Sequence, residues 1–409
     1  MKSGWELTKL GKVCNFKSGV TIDNKFEKTN GDIIYAKVGD MNLIGNEDYI
    51  NTSSRYVDIG DINSGQIIPS GSIIFPKRGG AIATNKKRRI IKPTIVDLNT
   101  MALVPGEALN KDYLFFWFKQ IDLAHLSNGT SIPQINNYSF DETYISYPKS
   151  LTEQQHIASI LEEAFKAIDQ AKANAQQNLR NARELFESYL QNVFENKGED
   201  WEDLKIREIT QVISGYSFNS KDFSSSNSVK SIKITNVGVK EFIEETDNYL
   251  PEKYLHAFKN FIVSKGNIVI ALTRTIIGAG LKVAVVPSKY DGALLNQRVA
   301  AIIPNEKIIN QRYLYYFLST EIVVRYVKSN VNELMQPNLS INDLKKLNVP
   351  TPSLVEQQNI IQKLDALSTQ TKKLEAIYQQ KLADLEELKK SLLQKAFNGE
   401  LKTLEPVEA

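Results

Sequence analysis

One cysteine, three histidines and no two adjacent prolines are found among 409 residues, and each scarcity removes a class of chemistry. A single thiol excludes an intramolecular disulfide framework and any cysteine-clustered zinc site, so Cys14 reads as a small apolar residue of the first domain. His125, His156 and His256 are scattered without the spacing of metal ligands. Enzymes that methylate exocyclic amines of DNA carry an (Asp/Asn/Ser)-Pro-Pro-(aromatic) loop, and without adjacent prolines that loop is missing. Neither G-x-G-x-x-G nor G-x-x-x-x-G-K occurs, which leaves no dinucleotide fingerprint or P-loop. Glu-x-Lys, the tail of a common nuclease motif, begins at Glu195, Glu387 and Glu400, but without an organised acidic partner. No stretch approaches about 18 uncharged apolar residues, and the opening MKSGWELTKL has no apolar signal core. A cytoplasmic protein with neither metal nor catalytic site is expected.

The totals suit a soluble globular chain of two to four domains: 42% hydrophobic and 24% charged residues, with a formal charge of +3. That charge is too small to argue for nucleic acid by itself, so its distribution has to carry the argument.

The strongest positive signal is internal repetition. Trp5-Glu6, Lys9-Leu10, Val13 and Ser18-Gly19 return as Trp201-Glu202, Lys205-Ile206, Ile209 and Ser214-Gly215, an offset of 196. SGSIIFPKR, ending at Arg78, answers SKGNIVIALTR, ending at Arg274, and Tyr113-Leu114-Phe115-Phe116 answers Tyr313-Leu314-Tyr315-Tyr316. Leu151-Thr152-Glu153-Gln154-Gln155 matches Leu354-Val355-Glu356-Gln357-Gln358, and SYLQNVF from Ser188 matches SLLQKAF from Ser391, both at 203. The order is kept over nearly the whole chain, so a unit of about 200 residues is duplicated in tandem.

Each unit begins with about 150 residues of short β-branched runs, glycine-, asparagine- and serine-rich turns and one apolar helix, about Lys111 to Leu123 and Gln311 to Tyr326. The remainder, Thr152 to Asn196 and Val355 to Asn398, lacks proline and predicts long helix, with Pro148 and Pro352 ahead and Gly198 and Gly399 behind. The fold class is therefore α+β: two homologous domains, 1–150 and 198–352, separated by long helices in 151–197 and 353–402, with a tail at 403–409. A heptad template places Ile157, Leu161, Ala171, Asn178 and Leu185 on one seam and Ile360, Leu364, Leu374, Lys381 and Leu388 on the other. An antiparallel coiled coil with a pseudo-two-fold axis would face residues whose numbers sum to about 555, among them Ala171 with Leu385 and Ala182 with Leu374. Asn178 and Lys381 would then meet near the axis.

Between Lys77 and Lys92 stand Lys77, Arg78, Lys86, Lys87, Arg88, Arg89 and Lys92 with no acid, around Gly79-Gly80. Such a run suits phosphate contact, and arginine reads guanine through a two-pronged hydrogen bond. Arg274 takes Arg78's place in the second unit, followed by Lys282. A solvated basic hairpin would give the same run, but its recurrence in both units favours DNA. SNGTSIPQIN (from Ser127) matches VNELMQPNLS (from Val331), which makes Ser131, Gln134, Asn136, Gln336 and Asn338 candidate base or phosphate contacts. A polar turn before a strand accounts for them equally well.

The duplication, the SGxIIFPKRG and GTSIPQIN segments and the paired L(T/V)EQQxI openings together resemble the specificity subunit of type I restriction–modification systems. The resemblance spans essentially the whole chain. It implies two target-recognition domains, each reading half of an interrupted, asymmetric double-stranded DNA sequence, spaced by the coiled coil. The implied partners are two modification subunits that methylate adenine with S-adenosylmethionine and two restriction subunits that use ATP and Mg²⁺. Those cofactors would belong to the partners, this chain would be non-catalytic, and no membrane is involved. A self-sufficient DNA-modifying enzyme and a coiled-coil scaffold without DNA reading are the alternatives; a methyl-transfer assay on the isolated chain would test the first and a salt-dependent DNA-binding measurement the second.

Overall fold

The computed structural model describes residues 2–129, 131–245, 249–278, 280–330 and 338–401. They divide into two compact units, one of residues up to 175 with those from 380 onward, the other of residues 176–379. Among the described residues no helix is long and apolar enough to cross a membrane.

The first unit contains β1 (Trp5–Lys9), β2 (Cys14–Ser18), β3 (Ile33–Ala36), β4 (Tyr49–Ile50), β5 (Tyr56–Val57), β6 (Ile73–Pro76), β7 (Arg88–Ile90), β8 (Thr94–Val96), β9 (Thr100–Pro105) and β10 (Tyr144–Pro148). The second contains β11 (Glu202–Lys205), β12 (Thr210–Ser214), β13 (Val229–Ile232), β14 (Tyr249–Leu250), β15 (Ile262–Val263), β16 (Ile268–Ala271), β17 (Ile276–Ile277), β18 (Gly280–Leu281), β19 (Val283–Val285), β20 (Ala293–Leu295), β21 (Val299–Pro304) and β22 (Asn348–Thr351). The large sheets run β2-β9-β6-β7-β4 and β12-β21-β16-β19, and the smaller ones β5-β3-β8 and β14-β13-β20-β15. In both units the smaller sheet contains one parallel pair, β3 with β8 and β13 with β20. The strand orders match, as a duplication demands; β4 and β15 are the additions at the sheet edges.

The unbroken apolar runs of β6 and β16 follow from burial on both faces. Ile73 and Phe75 enter one core, whereas Ile74, on the opposite face, enters a second. Ile268 and Ile270 divide from Val269 and Ala271 in the same way.

An aromatic helix covers each large sheet, Lys111–Lys119 in the first unit and Gln311–Leu318 in the second, capped by Asn110 and Asn310. Both end earlier than their apolar periodicity suggests. In the second, the Ser319 and Thr320 hydroxyls donate to the carbonyls of Tyr315 and Phe317, closing the helix before a new one, Glu321–Ser329.

The long helices are Leu151–Glu195 and Leu354–Phe397, the second ending five residues before the expected 402. Every unit takes half of each. In the first, Lys172 pairs with Glu386 and Asp169 with Lys389, so the two halves run antiparallel. In the second, Arg183 pairs with Glu375, and Leu190 and Phe194 share a core with Ile361 and Leu364. All three ion pairs sum to 558 rather than 555. The difference reflects a seam one residue away from the heptad reading in one of its rows. Ile157, Leu161, Ala182 and Leu364 are buried as expected, with Ile168 and Ala175 buried between them on the same row, while Ala171 and Ile360 are half-buried. Asn178, Leu185, Leu374, Lys381 and Leu388 are instead exposed, and Lys172, Leu179, Phe186, Glu375, Leu382 and Lys389 take their places, half-buried.

The repeated L(T/V)EQQ motif locks each helix to its own domain. Trp5 Nε1 donates to Glu153 at 3.3 Å, and Trp201 Nε1 to Glu356 at 3.0 Å. Buried Gln154 accepts from the Asn110 amide and donates to the carbonyls of Ala108 and Pro148; Gln357 does the same with Asn310, Ile308 and Pro352. The other helix closes the core: Phe397 meets Tyr113 at 5.2 Å between ring centres, and Phe194 meets Tyr313 at 5.3 Å.

Candidate nucleic-acid interface

In each large sheet the end of the first strand, the start of the second and the end of the third lie at one edge, because these neighbours are antiparallel. Ser18 ends β2, Lys77-Arg78 follow β6 and Asn99 precedes β9. The repeated Ser-Gly pair belongs here, since a Cβ on Gly19 would lie 1.8 Å from the Asp97 carbonyl oxygen and one on Gly215 2.0 Å from that of Asn296. Only glycine permits that approach.

The second candidate segment returns to this edge. The Ile135 amide donates to the Lys77 carbonyl at 2.9 Å, the Gly79 amide to the Pro133 carbonyl at 2.8 Å, and Arg78 bridges Gln134. Gln134 Nε2 donates to Asn136 Oδ1 at 2.9 Å, and Asn136 Nδ2 to the Tyr138 hydroxyl at 2.8 Å. Exposed Arg78, Ser131, Asn99 and Tyr138 flank this chain of amides, with Gln134 and Asn136 half-buried. Lys77 is buried instead; its ammonium donates to Ser18 Oγ at 3.0 Å, and burial together with the Arg78 charge depresses its pKa. It braces the edge from beneath.

The second unit builds the same edge with different side chains. The Leu272 amide donates to the Arg298 carbonyl and the Leu339 amide to the Leu272 carbonyl, both at 2.9 Å, while Thr273 bridges Asn338. By these backbone bonds Arg78 corresponds to Thr273. Arg274 therefore stands one residue further on, exposed, in left-handed conformation at φ 49°. Lys282 donates its ammonium to the Ile234 carbonyl at 2.8 Å, and its pKa is lowered by burial and by Arg274. Asn338 is exposed; Gln336 lies outside the described residues. Three exposed residues that sequence reasoning passed over, Tyr216, Gln297 and Arg298, share this edge, with the Gln297 amide bonded to the Tyr216 carbonyl at 2.9 Å. Their one signal in the sequence was position, directly after the Ser-Gly pair and directly before β21.

The basic run 86–89 divides. Arg89 is buried and does not face solvent: its guanidinium donates twice to Glu162 at 3.0 Å and once to Asp112 at 3.1 Å, and lies 4.0 Å from the Tyr49 ring centre. Burial disfavours its charge, but the Glu162 bonds and the Glu162 and Asp112 charges outweigh this and raise its pKa. Lys87 is buried too, bonded to Asn85 Oδ1 at 2.8 Å and the Ile121 carbonyl at 2.6 Å, and desolvation lowers its pKa to about 8. Arg88 is half-buried, held by the carbonyls of Lys87 and Met41 at 2.9 Å each. Lys86 binds the Asn42 side chain, and Lys92 is exposed. A run of cations without an acid is in large part structural here, because its acids and carbonyls come from elsewhere in the chain.

Among the described residues no group of three or more His, Cys, Asp or Glu could hold a metal ion. What the two edges offer is hydrogen-bonding amides and hydroxyls beside exposed arginine, the groups that read base edges and phosphates.

A doubled recognition module on paired long helices is thus the class of protein that the fold defines. The chain belongs to the family described as the type I restriction modification DNA specificity domain, whose model matches residues 2–179 and again 198–386. It is 29% identical over 335 residues to the type I restriction enzyme MjaVIII specificity subunit of Methanocaldococcus jannaschii, covering 77% of this chain and 75% of that one. Its fold is similar to a chain from a structure of the assembly and conformational transition of a type I R-M system (TM-score 0.74, 17% identity, 98% and 99% covered). It is similar as well to the HsdS subunit of Thermoanaerobacter tengcongensis (TM-score 0.61, 18% identity, 98% of both chains).

Proposed function

We propose that this chain is the non-catalytic specificity subunit of a type I restriction–modification complex, in which each unit reads one half of a bipartite, asymmetric double-stranded DNA target. The observation that carries this reading is the repetition of one sheet edge, built by the same backbone bonds and carrying exposed arginine beside amide side chains in both units, in a chain of the specificity family. One such edge discriminates only a few base pairs, at about 1–3 kcal/mol each, and two edges on one chain add their discrimination.

The partners are two modification subunits and two restriction subunits. S-adenosylmethionine, ATP and Mg²⁺ are bound by those partners. Adenine must leave the base stack to be methylated, a task for the modification subunits once this chain has fixed the register. The test is to assemble the full chain with its modification subunits and map methylated adenines on genomic DNA. Two short half-sites at one fixed separation are expected. Methylation without sequence preference, or methyl transfer by the isolated chain, would overturn the reading.

A further inference from the structure

The first unit also holds a cleft of about 570 Å³, where the segment leading into β7 meets the end of the aromatic helix and one half of each long helix. Lys86, Lys87 and Arg88 line it from the domain, and Lys119, Lys172, Lys389 and Lys390 from the helices, against Glu47, Asp48 and Glu386. Lys119 pairs with Asp48, Lys172 with Glu386, and Lys389 with Asp169, which stands outside the lining. Seven cations against these four carboxylates and Asp122, whose charge acts on Lys87, leave an excess of two positive charges.

That excess is built in. Lys86, Lys87 and Arg88 donate their hydrogen bonds only to neutral acceptors, two asparagine side chains and main-chain carbonyls, and Arg88 Nε is buried without a hydrogen-bond partner. Three adjacent cations held this way, beside Lys390, sustain a positive potential over low-dielectric walls. The second unit does not repeat it. At the gapless offset of 203, Lys172, Lys389 and Lys390 correspond to Glu375, Phe186 and Glu187. Those three residues line the second unit's own cavity of about 550 Å³, so the hollow belongs to the shared fold and the basic charge to the first unit alone.

We propose that this cleft binds phosphate groups, as a site separate from the reading edge of the first unit. It is large enough for more than one phosphate, so its ligand carries several: the backbone of a DNA strand running past the target, or a free polyphosphate chain. The inference adds a ligand site to the specificity reading but does not depend on it.

The experiment uses the full chain, with sodium tripolyphosphate and a short random-sequence duplex as probes at low and moderate salt. Lys86→Gln with Lys390→Gln removes two cations that stand outside the buried core; Lys390→Gln alone, on an exposed helix face, guards against misfolding, and Lys363→Gln serves as a control. The double variant should bind tripolyphosphate about tenfold more weakly than the parent, two charge-assisted contacts being lost. If DNA is the occupant, duplex affinity falls too, and the slope of its log–log salt dependence decreases by roughly two. If a free polyphosphate is the occupant, duplex binding is unchanged. Binding of both probes that is unaffected in every variant overturns the cleft while leaving the specificity reading intact. A chain that binds no duplex, yet loses tripolyphosphate binding in the double variant, fails the specificity reading and keeps the cleft.

Discussion

At one position of the large sheet the first unit places Arg89 and the second Val285, both opposite the first residue of the neighbouring strand, Ile73 or Ile268. Arg89 ties strand to helix: it reaches Asp112 on the aromatic helix and Glu162 on the long helix. In the second unit Arg312 stands on the aromatic helix at Asp112's place, and pairs with Asp365 at Glu162's place at 2.6 Å. Val285 reaches neither, and beside it opens a cavity of about 550 Å³ lined by Phe186, Phe242, Tyr315 and Tyr316. What the duplication preserved is a cation for the carboxylate of the long helix. The element that supplies it changed. One unit buries the cation of its ion pair; the other leaves that cation half in solvent beside a cavity.

The comparison is broken most directly at these two arginines. Arg89→Ala should cost the first unit about 2–3 kcal/mol, since it removes a guanidinium only 5% exposed together with its charge-assisted bonds and its stacking on Tyr49 and Phe115, while Glu162 and Asp112 keep contact with solvent. Arg312→Ala, at a side chain 55% exposed, should cost about 1 kcal/mol or less. Equal losses in denaturant unfolding would refute the distinction between the pairs.

A smaller effect should be symmetric. Gln154→Leu and Gln357→Leu each leave a buried amide and two carbonyls unbonded, so each should lose about 2–3 kcal/mol. Markedly unequal losses would mean that the two helix locks are not equivalent.

Lys87 supplies a pH-dependent contrast, because Val283 occupies its place in the second unit. Its folded pKa of about 8 lies below the ordinary 10.5, so between those values the unfolded chain holds the proton more tightly than the folded one. The cost of burying the charge is present below about pH 8 and is relieved as pH rises toward 10.5. The parent should gain on the order of 2 kcal/mol relative to Lys87→Met over that window, read as the difference between their unfolding free energies. A difference that stays constant with pH would show that this ammonium is not desolvated.

The last contrast is at the reading edges. Arg78→Ala should weaken or relax recognition of one half-site and Arg274→Ala the other, each by about tenfold, seen in the methylation pattern of the assembled complex. Loss of both half-sites in either variant would contradict the division of labour.

Much of this architecture was legible from the residues. Glycine and proline bracketed the long helices, and the ordered matches announced two units with one strand order. The seam was half legible. Its second row contains Lys172, Glu375 and Lys389, whose aliphatic stems are covered while their charges pair, and a count of apolar residues passes over such positions for Leu374 and Leu388. The basic run misled for a related reason: acidity near in sequence was absent, but Glu162 and Asp112 arrive from two other helices. Arg274 aligned by type with Arg78, although the backbone pairs Arg78 with Thr273, since an extra residue in the turn is invisible until hydrogen bonds fix the register.

The closing of the first core by Leu393, Ala396 and Phe397 sets an order of events during synthesis. The second unit is one continuous stretch of chain, ending at Gln379. Everything it needs has been translated while the first still lacks the residues that seal Tyr113 and its neighbours. Emerging first, that earlier domain waits longest on the ribosome with the Tyr113 side of its aromatic helix uncovered, and loop closure across nearly 300 residues comes late. A message cut short near residue 380 would yield one finished unit beside an unsealed one, the kind of product that chaperones retain and proteases clear. Only a chain translated through Phe397 can close both cores.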